Sequence, residues 1–264
     1  MRSTIKNMPQ EIYKGFLAGV MITIGCTAYL SVSNQVTGAF LFTVALCAVC
    51  NLGLSLYTGK VCFVNKNSAL QLIPCFIGNI IGCWGAGSII RIFQPEISAA
   101  AKLLCEGKLS KSWAEILSQA VFCGILMAVA VRTYKEHTGF GRYTGIFLCI
   151  PVFILCGFEH SIADAGYFVL AYPVPPIKTV LFVVGAVIGN TIGGQFGRFP
   201  EPKEMRTITV EAKYDLHGLP KESITPVKKA QERLENEMLE YFSYDENLVD
   251  LTVNVNDGGC NVPR

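Results

Sequence analysis

The sequence predicts an all-α membrane protein of six transmembrane helices, arranged as a 3+3 inverted repeat with the second and fifth helices interrupted. Three observations carry this. Of the 264 residues, 51% are hydrophobic and 16% charged, with a mean hydropathy of +0.41; a soluble domain carries about a quarter charged residues. Apolar stretches recur at 15–32, 36–64, 69–93, 116–131, 143–172 and 177–196, the lengths that helices need to cross about 30 Å of hydrocarbon. Finally, Ile77-Gly78-Asn79-Ile80-Ile81-Gly82 in the third stretch returns as Ile188-Gly189-Asn190-Thr191-Ile192-Gly193 in the sixth. A repeat unit of three spans, an odd number, inserts its second copy upside down, as in many transporters.

Residues 1–14 are polar and read as a cytoplasmic N-terminal segment without a cleavable signal. Lys and Arg are more numerous in 1–14, 65–68, 132–142 and after 198 than in 34–35, 94–115 and 173–176. That bias places both termini in the cytoplasm of a multi-pass cell-membrane protein. The second span carries Leu56-Tyr57-Thr58-Gly59-Lys60, where Gly59 and Lys60 break the apolar run. In the repeated motif, Gly78, Gly82, Gly189 and Gly193 read as small surfaces for close helix approach. Asn79 and Asn190 either bond across helices or line a pathway.

The fifth span holds Cys156-Gly157-Phe158-Glu159-His160-Ser161-Ile162-Ala163-Asp164. An ionisable side chain near a helix centre costs on the order of 2.5–3.5 kcal/mol on insertion. Glu159, His160 and Asp164 together therefore point to a cavity or water-filled path, with a solvent loop between two short helices as the plainer reading. Broken helices at matching places in two halves mark a substrate site near the midplane, and half-helix N-termini suit an anion. The transport domain reads as 15–198. The tail, 199–264, is polar, with an amphipathic helix at 227–242 and strand-like alternation at 248–255.

Other classes fit less well. A net charge of +2 without a basic, aromatic-laced patch gives no sign of nucleic acid. Ten of the eleven cysteines lie in or beside apolar stretches, as buried thiols do, rather than in a disulfide framework. Cys47-Ala48-Val49-Cys50 has neither a second pair nor a nearby His, so no metal and no cofactor is read from it. Of His137, His160 and His217, only His160 lies within a span, which speaks against haem held by paired histidines. No enzyme activity is indicated. A neutral-solute channel of the water or glycerol kind fits the architecture, but the paired Asn-Pro-Ala loops of such channels are missing.

At these residues the chain resembles the formate/nitrite transporter family. Gly157-Phe158-Glu159-His160-Ser161-Ile162-Ala163 is similar to that family's fifth-span signature, Gly189-Asn190-Thr191-Ile192-Gly193-Gly194 to its sixth-span motif and Leu56-Tyr57-Thr58-Gly59 to its second-span loop. Lys14-Gly15-Phe16-Leu17-Ala18-Gly19 resembles its opening helix. The resemblance covers about residues 10–198. It implies an aquaporin-like homopentamer in the lipid bilayer, each subunit with its own pore for small monovalent anions such as formate or nitrite. It further implies that His160 is the central pore histidine, that Thr58 faces it, and that Asn190 bonds nearby. Leu46 and Phe153 match the outer constriction, Leu56 and Tyr57 the cytoplasmic one. Lys108 falls at a vestibule lysine and Lys14 at its looser cytoplasmic counterpart. Glu159, Asp164 and Asn79 are expected in supporting roles.

Three positions depart from the family pattern. Cys123-Gly124-Ile125 replaces a polar step in the fourth span, Ser55 stands where an acidic residue is common, and Asp164 stands in a motif usually written Ala-Asn-Met. These bear on substrate preference, and a hydrosulfide-preferring member is the alternative within the family. Dehydrating an anion at an apolar constriction costs several kcal/mol unless its charge is compensated. Histidine, with an unperturbed pKa of about 6.5, can donate an N–H or exchange a proton near neutrality. These residues are compatible both with passive anion flow and with transport of anion plus proton.

Overall fold

The computed structural model describes residues 8–64, 69–195, 208–212 and 251–255. It divides into two units, Met1–Phe199 and Pro200–Arg264. Among its described residues, the regular structure of the first is all helical. In order it contains α1 (Met8–Leu30), α2 (Gln35–Asn51), α3 (Tyr57–Lys60), α4 (Leu72–Phe93), α5 (Pro95–Leu109), α6 (Trp113–Glu136), α7 (Thr144–Leu155), α8 (Ser161–Leu170) and α9 (Pro176–Gln195), with short 3₁₀ turns at Val61–Phe63, Ala69–Gln71 and Gly139–Tyr143.

Four of these helical stretches, Met8–Leu30, Ala69–Phe93, Trp113–Glu136 and Pro176–Gln195, are long and apolar enough to cross a membrane. The other apolar helices pair into two broken rods: α2 with α3, interrupted at 52–56, and α7 with α8, interrupted at 156–160. Ile77, Ile81, Trp84, Leu148, Val180, Ile188 and Ile192 are exposed. Such an apolar outer surface suits lipid, where helices associate by close packing and polar bonds rather than by hydrophobic burial.

That packing is set by glycine. α1 lies along α4, and α6 along α9. A Cβ on Gly82 would fall 2.0 Å from the Phe16 carbonyl oxygen, and one on Gly193 1.9 Å from that of Val121, so only glycine lets these backbones approach. Helix ends are capped locally. Asn34 Oδ1 accepts from Thr37 N–H at 2.9 Å to start α2, and Ser112 and Glu115 form a capping box on α6.

Two sequence expectations are corrected. The second span breaks at 52–56, ahead of Gly59 and Lys60, which are helical in α3. Gly53, at φ +59°, makes the turn, and Lys60 instead pairs with Glu11 on α1 at 2.6 Å. The connection at 94–115 is also not a plain loop. Pro95 at the first helical position and Glu96 in the first turn start α5, and that helix delivers Lys108.

In the second unit, β1 (Ile208–Ala212) pairs in parallel with β2 (Leu251–Val255), Ile208 opposite Leu251. β2 falls within the stretch whose alternation predicts a strand; β1 was not anticipated. The amphipathic helix expected at 227–242 lies outside the described residues.

Candidate functional site

The two breaks are built alike. At each, the helix ends in a glycine-centred turn: Leu54 N–H bonds back to Val49 O and Phe158 N–H to Phe153 O, both at 2.9 Å. Gly53 (φ +59°) and Gly157 (φ +66°) take the left-handed conformation between them, where a side chain would be strained. The chain then extends through Leu56 (φ −103°) and His160 (φ −109°), the N-caps of α3 and α8.

Each extended segment is held by one buried asparagine. Asn79 Oδ1 accepts from Tyr57 N–H (2.8 Å), while its Nδ2 donates to Ser55 O and Gly15 O, both at 2.8 Å. Asn190 Oδ1 accepts from Ser161 N–H (2.9 Å), and its Nδ2 donates to Glu159 O (2.8 Å) and Ala120 O (2.9 Å). The bonds correspond one for one. Backbone groups freed by a broken helix must find partners in the membrane interior, and these two side chains supply them. The geometry thus favours the cross-helix role for both asparagines.

His160 sits where the breaks meet. Its Nδ1 accepts from Ala163 N–H at 3.1 Å. A backbone N–H only donates, so Nδ1 carries the lone pair and the neutral ring bears its proton on Nε2. Nε2 lies 2.8 Å from Thr58 Oγ1, so this N–H points at the hydroxyl on α3. Phe153 stacks on the imidazole with centroids 5.6 Å apart, and Phe42 meets Phe153 edge-on at 6.2 Å. Leu46 and Leu56 are buried. Tyr57 is held by its hydroxyl on Thr191 Oγ1 (2.8 Å) and by Phe76 packed edge-on at 5.3 Å.

Beside His160 lies a charged cluster. Glu159, wholly buried, accepts from Lys108 and, at 2.5 Å, from Lys111. Lys108 also donates to Asp164 Oδ1 at 2.8 Å. Burial works against the Lys108 ammonium, but the Asp164 and Glu159 carboxylates outweigh it, so its pKa is raised and it stays charged. Removing one member of such a pair leaves an uncompensated buried charge and costs about 3–5 kcal/mol. A cavity of about 280 Å³ opens here, and Lys108, Lys111, Phe153, His160, Asp164 and Tyr167 are among the residues lining it.

The structure therefore brings together His160, Thr58, Phe153, Glu159, Asp164 and Lys108. Asn79 and Asn190 stand behind them as struts. Lys108 is ion-paired rather than free, and Lys14 meets the break at 52–56 through its carbonyl oxygen, 3.4 Å from Ser55 N. Sequence reasoning missed Gly53 and Lys111. Gly53 precedes Tyr57 by the same four residues that separate Gly157 from Ser161, a spacing that would have found it. Lys111 lies three residues beyond Lys108, in the bend between α5 and α6.

Apolar helices broken at two equivalent places around a buried histidine fit the architecture of a multi-pass membrane transporter or channel. The chain belongs to the formate/nitrite transporter family, whose model, described as Formate/nitrite transporter, matches residues 2–197. It is 26% identical over 211 residues to the nitrite transporter NirC of Escherichia coli, covering 69% of this chain and 75% of that protein. To the formate channel BtFdhC of Bacillus thuringiensis it is 24% identical, with 72% and 84% covered. Among solved structures it is similar to a pentameric formate channel with formate bound, with a TM-score of 0.64, 18% identity and 72% and 93% coverage. An FNT family ion channel gives a TM-score of 0.65, 19% identity and 73% and 88% coverage. At these identities the structural likeness speaks for the fold.

Proposed function

We propose that this protein conducts small monovalent weak-acid anions, of the formate or nitrite type, through a pore in each subunit of a homopentamer in the cell membrane. Both termini face the cytoplasm, 15–198 form the transport domain and 199–264 its cytoplasmic tail. The two halves of the transport domain are inverted copies, a reading supported by the matched bonds of Asn79 and Asn190. The observation that carries the function is His160, buried where the two broken helices meet, its Nε2 on Thr58 and its ring beside a cavity that two lysines line.

An anion enters on the Lys108 side and loses water between Leu46 and Phe153, and His160 offers it an N–H at the narrowest point. Leu56 and Tyr57 form the constriction on the other side, and Lys14 lies beyond it. Relatives named for formate and nitrite support the substrate class. The test is uptake into proteoliposomes of formate, nitrite, hydrosulfide, lactate and glycerol by the wild type and by His160→Asn. Formate or nitrite flux that collapses in the variant is the expected result. Hydrosulfide flux alone would shift the substrate within the family. Glycerol flux without anion flux would overturn the proposal in favour of a neutral-solute pore.

A further inference from the structure

The four charged groups beside the cavity do not share their bonds evenly. Glu159 has a lysine on each carboxylate oxygen: Lys108 on Oε2 and Lys111 on Oε1. Asp164, only 1% exposed, has Oδ1 on Lys108, while its Oδ2 is buried with no hydrogen-bond partner. Lys108 therefore serves two carboxylates at once. With all four groups ionised, two cations balance two anions, and the cluster presents no net charge to an anion arriving in the cavity.

An ionised carboxylate can only accept hydrogen bonds, and a buried acceptor without a donor is unfavourable. Asp164 Oδ2 is such an acceptor, and a proton bound there removes the imbalance. The other basic group at the cavity is less available. His160 Nδ1 is occupied by Ala163 N–H, so a second proton on the ring would displace the cap of α8. The groups facing Asp164 are Lys108 and Cys105 from α5, Glu159 from the break, Cys26 from α1, Cys123 from α6 and Tyr167 on its own helix. Thiols and phenols are uncharged at neutral pH in water, so the field at Asp164 is set by Lys108 and Glu159, with Lys111 behind them.

We propose that Asp164 is a proton-carrying, specificity-determining residue of the transport step: a proton taken from the aqueous phase onto Oδ2 turns the cluster from neutral to singly positive, and that state admits the anion. The proposal rests on the anion-conducting function given above. Only the Oδ2–H bond forms; Lys108 and Lys111 keep Glu159, and anion and proton enter together with no net charge. The favoured substrates are conjugate bases of small weak acids, which can carry the proton onward. Anions of strong acids cannot take it, and so are discriminated against.

The experiment compares nitrite and nitrate flux through reconstituted full-length wild type and Asp164→Asn between about pH 5.5 and pH 7.5. Wild-type nitrite flux is expected to fall by about tenfold per pH unit once the site is mostly unprotonated. Asp164→Asn keeps the shape, removes the negative charge and leaves the cluster permanently positive. Its nitrite flux should exceed wild type at the upper pH, vary less than about twofold over the range, and lose its preference over nitrate. An Asp164→Asn protein with the wild-type pH slope overturns the proposal while leaving anion conduction intact. A wild type that carries no anion overturns both. A measurement on the wild type alone guards against misfolding of the variant: infrared difference spectra on adding nitrite should show a carboxylic-acid C=O band appearing. Absence of that band refutes Asp164 as the proton's seat.

Discussion

Replacing Asn190 with alanine removes three hydrogen bonds of 2.8–2.9 Å in one step and strands Ser161 N–H, Glu159 O and Ala120 O in the protein interior. Interhelical side-chain bonds in membrane proteins average about 0.6 kcal/mol each, with a maximum near 1.7, so the three together amount to about 2 kcal/mol. Leaving buried backbone groups unsatisfied pushes the cost upward, and about 2–3 kcal/mol is the working figure. For a chain of this size each kcal/mol moves the midpoint by about 2–4 °C, which predicts a Tm lowered by about 5–10 °C. Thermal unfolding of detergent-purified protein, followed through the fluorescence of Trp84 and Trp113, reads this directly. Asn190→Asp keeps the acceptor for Ser161 N–H but loses both donations, so it should fall in between or below. Asn79→Ala should match Asn190→Ala, because its bonds are equivalent. If Asn190→Ala melts within about 2 °C of wild type with unchanged anion flux, the strut argument is wrong.

Two further outcomes are expected. Gly193→Ala and Gly82→Ala force a Cβ to about 2 Å from backbone carbonyl oxygens, and both should lose the monodisperse folded species on size-exclusion chromatography. Gly107→Ala, with nothing within 4 Å of its added Cβ, should elute as wild type. Thr58→Val leaves the buried His160 Nε2–H without its partner at 2.8 Å, a penalty of about 1–3 kcal/mol. Anion flux should drop about tenfold or more, while Thr58→Ser restores it; equal flux in all three proteins would remove Thr58 from the pathway.

Much of this site is legible in the chain because membranes make polar residues conspicuous. Glu159, His160 and Asp164 stand out in an apolar run since their insertion is costly, and the Gly-Asn motif repeats because the same backbone problem is solved twice. The break at 52–56 is hidden for the opposite reason. Leu52, Leu54 and Leu56 flank Gly53 and Ser55, and an apolar composition is the same whether the buried backbone is helical or extended. The eye goes instead to Lys60, whose charge is met at the helix end by Glu11. Helix α5 carries its own apolar stripe, Ile97, Ala101 and Cys105, but its 15 residues are too few for a span and its charged residues draw the eye to a connection.

By itself, then, the sequence determined that the chain is a membrane protein, that its halves share a motif, and which histidine stands inside an apolar run, because each of these follows from local transfer cost and spacing. Only the tertiary structure decided how those residues act. It put Nδ1 of His160 under a backbone N–H and Nε2 against Thr58, made struts of Asn79 and Asn190, and gave Lys108 two carboxylates to serve. These are contacts between residues up to 102 positions apart, and no local pattern encodes which partner a buried polar atom will find once the helices close on one another.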